Sequence, residues 1–468
     1  MQIKFGTDGW RGVIARDFTF ENLSQVAQAT MDWMQREGLA DQGLVVGYDR
    51  RFLSPEFARR VAEVAAGNGI KTLFCDEVAP TPAVSWAVKQ EGAGAGVMIT
   101  ASHNPPIYNG FKVKEGYGGS ARPDTTALLE QIVAYNQSHE RLVRSVPFEE
   151  ACRSGLIVLF DATTGYLRQL GRYVDIDLIR QAVIPAVADP MYGAGSGFFK
   201  RLLAIEEIHA EVNPAFGGRP PEPIGEHLQE LCALVKSGHY RVGLALDGDA
   251  DRIGAVDEHG DFFSSHGIFT VLLKHLVERK GRSGGVVKTV STTRLVDCLA
   301  EKYQLPLFET PIGFKHICAL MLEQQVLMGG EESGGLGVAG HIPERDGILM
   351  GLLLLETIAA TGKGLREQLD EVMAECGSFC YRRIDTHIAN DDKERLLTQL
   401  RTEPPVKIAG RLVSRTNFSD GFKFIFDNGD WLLIRPSGTE PVLRLYSEAG
   451  EAEMVETLLR GARQLAGV

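Results

Sequence analysis

Two short polar segments carry residue types suited to phosphoryl transfer. Residues 100–105 read Thr-Ala-Ser-His-Asn-Pro, and residues 247–252 read Asp-Gly-Asp-Ala-Asp-Arg. Ser102 offers a hydroxyl that could carry a phosphate, and a phosphoserine is a phosphoryl donor that needs only a metal and correct positioning. His103, Asn104 and the prolines nearby could hold this hydroxyl outward. Taken alone, the first segment also fits an Asn-Pro turn with a capping serine, so its interpretation depends on the second segment.

The aspartates of the second segment predict a metal site. Asp247, Asp249 and Asp251 are separated by single small residues and follow an apolar run over residues 242–246. A sharp turn there could aim three hard oxygen ligands at one Mg²⁺ ion, although an ordinary acidic turn is the alternative. An EF-hand loop is excluded because a strand pattern resumes at residue 253. Arg252 could pair with a carboxylate or contact a phosphate, and the spacing does not choose between these roles.

Two further glycine-containing loops have polar side chains that could bind a sugar phosphate. Residues 329–335 contain Glu331 and Ser333, which could hydrogen-bond to vicinal sugar hydroxyls, although a plain glycine-rich turn explains the segment equally well. The later loop predicts phosphate binding because it combines a bidentate donor, two hydroxyls and a glycine that lets backbone N–H groups approach an anion. Its residues are Arg435, Ser437, Gly438 and Thr439. It lacks the spacing of a Walker P-loop.

Composition limits the class of protein and its partners. The 468 residues exceed one ordinary hydrophobic core and predict three or four domains. No apolar run approaches the roughly 20 residues of a membrane helix. The net charge of −12 disfavours general attraction to nucleic acid or to an anionic membrane. We therefore expect neither partner, and an anionic substrate would need a local basic pocket.

Cysteine usage and the start of the chain favour a cytoplasmic protein. The seven cysteines are scattered and suggest no paired framework, which fits a reducing cytosol. The first residues lack the charged and apolar regions of a signal peptide.

A repeated strand, turn, helix, strand pattern predicts the fold class. It occurs over residues 44–74, again from 183 to 204, and a third time over 286–308. These units predict one α/β domain used three times, with mixed, largely parallel sheets. After about residue 375 the pattern changes to short strands joined by tight turns and a last helix from Glu451, which predicts a small antiparallel α+β domain. The predicted domains are residues 1–144, 145–256, 257–373 and 374–468.

Taken together, the four loops resemble those of the α-D-phosphohexomutase superfamily, in the same order and over essentially the whole chain. The resemblance assigns residues 100–105 to the phosphoserine loop, 247–252 to the metal loop, 330–334 to the sugar loop and 435–441 to the phosphate loop. It implies four domains around a central active-site cleft. It also places Arg11 near the transferred phosphate and makes Lys112 a candidate general acid/base; by spacing alone, Lys112 would be an ordinary surface lysine.

The family implies reversible exchange of phosphate between C1 and C6 of a hexose. Phospho-Ser102 would donate its phosphate to a hexose monophosphate, and the hexose 1,6-bisphosphate would then turn around and return its other phosphate to Ser102. Mg²⁺ held by the three aspartates and the serine phosphate would stabilise the charge that moves during transfer. The oligomeric state, monomer or homodimer, is left open.

The form of the sugar loop ranks glucose phosphate first among the substrates. Glu331-Glu332-Ser333, with Gly313-Phe314-Lys315-His316 upstream, looks more like phosphoglucomutases than like phosphomannomutases or phosphoglucosamine mutases. One departure is Arg345, where many phosphoglucomutases carry Lys. Arg stays protonated, so a base role at that position would pass to Lys112 or His103. Open alternatives are mannose phosphate, dual specificity, a glucose 1,6-bisphosphate synthase, a phosphatase and a non-enzymatic sensor of sugar phosphates.

Overall fold

The structure is a computed structural model, and it describes residues 3–6, 8–437 and 442–467. Its strands form four sheets that follow one another along the chain. Each of the first three sheets mixes parallel and antiparallel pairs, whereas the fourth is antiparallel throughout. The predicted fold class, three similar α/β domains followed by an α+β domain, is confirmed.

The first sheet has six strands. Its elements are β1 (Trp10–Val13), α1 (Phe20–Arg36), a 3₁₀ turn (Ala40–Gln42), β2 (Leu44–Tyr48), α2 (Ser54–Gly67), β3 (Thr72–Cys75), α3 (Thr81–Glu91), β4 (Ala95–Ile99), β5 (Tyr108–Glu115), α4 (Pro123–Ser138), α5 (Phe148–Arg153) and β6 (Ile157–Phe160). The strand order is β1-β5-β4-β2-β3-β6. Strands β2 and β4 are buried along their whole length, as expected where helices cover both faces of a sheet.

The second sheet has the order β11-β10-β9-β7-β8. Its elements are α6 (Ala162–Tyr173), α7 (Ile176–Ala182), β7 (Ala186–Asp189), α8 (Phe198–Leu203), β8 (Glu206–Glu207), a 3₁₀ turn (Phe216–Gly218), α9 (Gln229–Lys236), β9 (Val242–Leu246), β10 (Ile253–Val256) and β11 (Phe262–Phe263). Buried β9 ends directly before the aspartate segment.

The third sheet has the order β13-β12-β14-β15. Its elements are α10 (Ser265–Glu278), β12 (Gly285–Thr289), α11 (Leu295–Lys302), β13 (Leu307–Thr310), α12 (Phe314–Glu323), β14 (Val326–Gly330), β15 (Leu336–Val338), α13 (Gly347–Thr361) and α14 (Leu365–Cys376). Helix α13 is buried from Gly347 to Ile358. It is preceded by the N-cap Asp346, whose side chain accepts a hydrogen bond from the Leu349 N–H. It packs in one hydrophobic cluster with residues of the second sheet, such as Leu244.

The fourth sheet has the order β16-β21-β20-β19-β18-β17. Its elements are β16 (Cys380–His387), α15 (Asn390–Thr402), β17 (Lys407–Ile408), β18 (Arg411–Asn417), β19 (Phe422–Phe426), β20 (Trp431–Pro436), β21 (Val442–Ala449) and α16 (Ala452–Ala466). Helix α16 packs its apolar face on this sheet.

The domain boundaries stay predictions, but two strands lie beyond a predicted boundary and pair with the sheet before it. Strand β6, Ile157–Phe160, pairs with β3 in the first sheet, beyond the boundary predicted at residue 144. Strand β11, Phe262–Phe263, pairs with β10 in the second sheet, beyond the boundary predicted at residue 256. Both are short edge strands, and a polar stretch or a hairpin turn in the sequence does not tell which sheet accepts the strand that follows it.

The expectation that the cysteines form no pair was wrong. Cys298 of α11 and Cys376 of α14 form a disulfide, with their Cα atoms 6.0 Å apart. The two residues are 78 positions apart in sequence, and only the packing of α11 against α14 brings them within bonding range. A cytoplasmic location stays a prediction.

Within the described ranges, no single helix is long and apolar enough to cross a membrane. Helices α13 and α14 meet that length and composition together, but as a pair bent by 78°.

Candidate active site

Ser102 lies at the carboxyl end of β4, against the aspartate segment that follows β9. Its Oγ donates a hydrogen bond to Oδ2 of Asp247 over 2.7 Å. The backbone of Ser102 is left-handed, with φ of 52°, which is uncommon for a residue with a side chain. The two loops approach so closely that a Cβ at Gly248 would lie 2.5 Å from the Ser102 carbonyl oxygen. Two segments far apart in sequence therefore lie in direct contact.

A buried arginine organises the Ser102 loop. The Arg51 guanidinium donates to the carbonyl oxygens of Ser102 and Asn104 over 2.6 Å each, and to those of Pro105 and Tyr108 over 3.0 Å each. Asp49 lies 3.3 Å from Nε of Arg51 and accepts a hydrogen bond from Thr100 Oγ1. Four carbonyls of this segment thus accept hydrogen bonds from one cation, which supports the left-handed turn.

The three aspartates form a buried cluster that fits a metal ion. One ligand atom from each of Asp247, Asp249 and Asp251 lies within 4.8 Å of the others. The Oδ1 atoms of Asp249 and Asp251 are buried and have no hydrogen-bond partner among the described residues. Buried oxygens without donors are costly unless a cation satisfies them, and an all-oxygen set suits a hard divalent ion such as Mg²⁺. Together with the Ser102 oxygen, these residues would hold it.

The charges of the cluster are unequal. Burial and the neighbouring carboxylates raise the pKa of Asp247 well above its usual range. Burial also opposes ionisation of Asp249, but Lys112 outweighs it and holds the pKa of Asp249 below its usual range. Thr81 donates a further hydrogen bond to Asp249 over 2.5 Å. A cation would therefore meet one carboxylate that already bears charge and another that ionises more readily once the cation is present.

Lys112 lies inside this cluster rather than on the surface. Its Nζ is 2.8 Å from Asp249, 3.0 Å from Asp251 and 2.8 Å from Asp8. These three carboxylates outweigh the opposing effect of burial and raise the pKa of Lys112. The side chain is therefore a fixed cation at the centre of the described site.

The other predicted catalytic residues surround Ser102. His103 Nδ1 lies 3.3 Å from Ser102 Oγ, and burial together with nearby arginines, Arg252 and Arg11 among them, lowers the pKa of His103 well below its usual value. Arg11 donates to Oδ1 of Asn104 over 2.5 Å. Nε of Arg252 is buried, 3.9 Å from Asp251, and has no hydrogen-bond partner in the part of the chain that the structure describes. Both guanidinium groups lie close enough to His103 to lower its pKa, so they place positive charge beside Ser102.

The sugar loop lies directly against the metal loop. The Ile253 N–H donates to the Gly334 carbonyl over 3.1 Å, and residues 252 and 335 form a β-bridge. Glu331 is buried, and its Oε1 accepts a hydrogen bond from the Gly313 N–H over 3.0 Å. Burial raises the pKa of Glu331 to about 7. Ser333 lies at the tip of this loop and is half-buried.

Arg345 joins the sugar loop to the metal loop. Its Nη2 donates to Asp251 over 2.7 Å and contacts Asp8, and its Nη1 lies 3.6 Å from Oε2 of Glu331. Asp8, Asp251 and Glu331 come from three different sheets or their flanking loops, so one guanidinium holds three parts of the site together. Its role in this structure is that of a cationic bridge.

The predicted phosphate loop is only partly described. Arg435, near the end of β20, donates from Nε to Oδ1 of Asp420 over 2.8 Å. Ser437 is buried, and its N–H donates to the Val442 carbonyl. Gly438 and Thr439 lie outside the described residues, so their predicted phosphate contacts stay predictions.

Sequence reasoning missed several residues that shape the site. Arg51 contacts the Ser102 loop, Thr81 contacts Asp249, and Asp420 binds Arg435. None of them stands in a polar cluster with the residue that it contacts. The one signal available was the charged segment Asp49-Arg50-Arg51 at the end of the apolar run 44–48, the same strand-end position that drew attention to Ser102 and Asp247.

Comparison with known proteins shows that the chain matches models of four domains from one family. Models of the phosphoglucomutase/phosphomannomutase alpha/beta/alpha domains I, II and III match residues 2–140, 164–260 and 264–376, and the model of the C-terminal domain matches residues 393–463. A Thermococcus kodakarensis protein named "Phosphoglucomutase/phosphomannomutase" is 30% identical over 464 residues, 97% of this chain and 96% of that one.

Two further similarities extend over almost the whole chain. A Methanothermobacter thermautotrophicus protein named "Probable phosphoglucosamine mutase" is 31% identical, over 96% of this chain and 94% of its own. A crystal structure from Thermus thermophilus has 36% identity and a TM-score of 0.86, with full coverage of both chains. The chain therefore belongs to the phosphoglucomutase/phosphomannomutase family, and it is a phosphohexomutase with the four domains of that family in order.

Proposed function

We propose that the protein interconverts glucose 1-phosphate and glucose 6-phosphate through a phosphoserine at Ser102 and a glucose 1,6-bisphosphate intermediate. The observation that carries this proposal is the 2.7 Å hydrogen bond from Ser102 Oγ to Asp247, within a buried cluster of three aspartates. A hydroxyl in direct contact with an all-oxygen cation site is placed to carry a phosphate that the cation also contacts.

The residues around Ser102 have separate roles in the proposed reaction. The bond between Ser102 Oγ and phosphorus breaks as the free hydroxyl of the hexose monophosphate forms a new bond to phosphorus. The proton released by that hydroxyl ends on the leaving Ser102 oxygen, and His103 is placed to deliver it because its Nδ1 lies 3.3 Å from Ser102 Oγ. Lys112 already donates to three carboxylates and serves as a fixed positive charge. Mg²⁺ bound by Asp247, Asp249 and Asp251 would neutralise charge on the phosphate during transfer.

Recognition of the substrate is divided between two loops. Glu331 is held by the Gly313 N–H and faces Arg345, which fits a carboxylate that accepts hydrogen bonds from sugar hydroxyls, with Ser333 beside it. Arg435, with Ser437, Gly438 and Thr439, would bind the phosphate that does not react. Because each phosphate of the bisphosphate must occupy both positions in turn, this second site has to accept either end of the sugar.

Glucose phosphate ranks first because of the Glu331-Glu332-Ser333 form of the sugar loop. Glucosamine phosphate is a second candidate, since several relatives over the full length carry that name. Mannose phosphate, or both hexoses, is a third, because a relative is named for both activities. Net release of the bisphosphate would make the protein a glucose 1,6-bisphosphate synthase.

The test is a panel of rates with purified protein, Mg²⁺ and catalytic glucose 1,6-bisphosphate. Glucose 1-phosphate, mannose 1-phosphate and glucosamine 1-phosphate are compared by kcat/KM, and inorganic phosphate is measured in parallel. We expect the highest value for glucose 1-phosphate and little phosphate release. A preference for glucosamine 1-phosphate would replace the proposed sugar. Phosphate release as fast as isomerisation would replace the mutase with a phosphatase.

A further inference from the structure

Asp420 lies between the third and fourth domains and touches both. It stands in the turn between β18 and β19. Its Oδ1 accepts the hydrogen bond from Arg435 Nε over 2.8 Å, and its Oδ2 accepts one from the Ile312 N–H over 2.9 Å. One carboxylate thus connects the arginine of the proposed phosphate site to a backbone amide of the neighbouring domain.

Among the described residues, the hydrogen bond with Asp420 uses one side of the Arg435 guanidinium. A guanidinium has five N–H donors, and Asp420 uses the one on Nε. Within residues 3–6, 8–437 and 442–467, neither Nη atom of Arg435 has a hydrogen-bond partner. Two parallel Nη–H donors suit bidentate binding of a phosphate. Asp420 therefore fixes the Nε side of the guanidinium and uses neither Nη atom.

The amide of Ile312, which donates to Asp420, is next in sequence to an amide that contacts the sugar loop. The next residue, Gly313, donates its N–H to Oε1 of Glu331 over 3.0 Å. Gly313 has φ of 128°, a conformation that a residue with a side chain rarely adopts, and it precedes helix α12. Two consecutive amides are therefore held by two carboxylates, one on the phosphate side and one on the sugar side.

We propose that Asp420 is a positioning residue that couples the phosphate site at Arg435 to sugar recognition by Glu331, through the segment Ile312–Gly313. The inference rests on the proposed function, in which the same hexose phosphate contacts both places. When a phosphate monoester binds Arg435, Asp420 transmits the position of that arginine to Ile312, and Gly313 then fixes the Glu331 carboxylate. Occupation of either end then raises the affinity of the other end, and by the reciprocity of linked equilibria the two effects are equal.

A second contact between the same domains provides a matched control. Glu309 accepts hydrogen bonds from Lys423 Nζ over 2.7 Å and from Asn417 Nδ2 over 2.6 Å. Glu309 also bridges the third and fourth domains, but it contacts neither Arg435 nor Gly313. If Asp420 acted only by holding the two domains together, Glu309→Gln would reproduce its effects.

The experiment measures binding, so it does not depend on turnover. Full-length wild type, Asp420→Ala, Asp420→Asn, Glu331→Gln, Glu309→Gln and the double variant Asp420→Ala/Glu331→Gln are titrated calorimetrically with inorganic phosphate, glucose 6-phosphate and mannose 6-phosphate. We expect Asp420→Ala to weaken binding of inorganic phosphate by about 10-fold, as for loss of one charge-assisted contact. Glu331→Gln should change the ratio of the dissociation constants for glucose 6-phosphate and mannose 6-phosphate. We expect Asp420→Ala to reduce that change by at least about threefold, because contacting or linked residues give non-additive effects. Glu309→Gln should change neither quantity.

Three outcomes would overturn the coupling. They are multiplicative effects of Asp420→Ala and Glu331→Gln, equal effects of Glu309→Gln and Asp420→Ala, or unchanged phosphate affinity in Asp420→Ala. If Asp420→Ala does not fold, Asp420→Asn decides, because its amide can accept only one of the two hydrogen bonds and should show the same loss of coupling. The proposed function fails separately, if wild type binds these sugar phosphates with the expected coupling but isomerises none of them.

Discussion

Replacing Arg51 with Lys tests whether the Ser102 loop is built by the hydrogen bonds of one buried guanidinium. Arg51 satisfies four carbonyl oxygens, on Ser102, Asn104, Pro105 and Tyr108, at distances from 2.6 to 3.0 Å. Lys keeps the charge but has three donors on a single atom, so it cannot reach carbonyls distributed over seven residues. We expect at least two of the four contacts to be lost.

The size of the effect follows from those contacts. Hydrogen bonds to a charged group contribute about 1.5–3 kcal/mol each. The loss of two contacts therefore lowers the free energy that stabilises this loop conformation by about 3–6 kcal/mol. The left-handed backbone at Ser102 depends on this support, and relaxation of the turn would move Oγ away from Asp247. A misplacement of about 1 Å in a reacting group can lower kcat by about 100-fold, and we expect a loss of that order with a smaller change in KM.

The assay combines turnover with a count of phosphate on the serine. Conversion of glucose 1-phosphate gives kcat, and peptide mass spectrometry after incubation with glucose 1,6-bisphosphate gives the phosphorylated fraction of Ser102. Arg50→Lys is the control, because Arg50 donates to Ser196 and to the Ala210 carbonyl and not to the Ser102 loop. It should stay within about twofold of wild type, as for a substitution away from the site. Wild-type kcat and Ser102 phosphorylation in Arg51→Lys would refute the reasoning.

Three further predictions concern the proposed chemistry. Ser102→Ala should abolish turnover and the incorporation of one phosphate per chain from glucose 1,6-bisphosphate, and full activity in that variant would end the phosphoserine mechanism. Asp249→Asn should lose most of kcat and respond weakly to added Mg²⁺, because a neutral amide replaces one of the carboxylates that would bind the cation. Undiminished kcat in this variant would remove the aspartate loop from the mechanism. Burial raises the pKa of Glu331 to about 7, so in the free enzyme this carboxyl is protonated below that pH and ionised above it. The kcat/KM of wild type should therefore fall as the pH drops below about 7, relative to Glu331→Gln, whose amide does not titrate; parallel profiles would show that ionised Glu331 does not contribute to binding.

The parts of the site that are local in sequence were predictable from the residues. Asp247, Asp249 and Asp251 follow one buried strand within a single turn, so their spacing alone brings the carboxylates together. Ser102 likewise follows a strand of five buried residues. Side chains at the carboxyl ends of such strands point into the crevice where α/β sheets bind ligands. The strand and helix patterns also predicted the fold class, because period and turn chemistry are local properties.

The connections between these loops were decided by the tertiary structure. Lys112 reads as a surface lysine in sequence, yet three carboxylates from two other loops surround it. The Cys298–Cys376 pair, the bridge at Arg345 and the link through Asp420 all join residues tens or hundreds of positions apart. A buried ion pair or hydrogen bond depends on which surfaces of the domains pack together, and that packing is set by long-range apolar contacts that no short stretch of sequence contains. The sequence by itself determined which groups could carry out the chemistry, and the packing of four domains determined which of those groups meet and what charge each one carries.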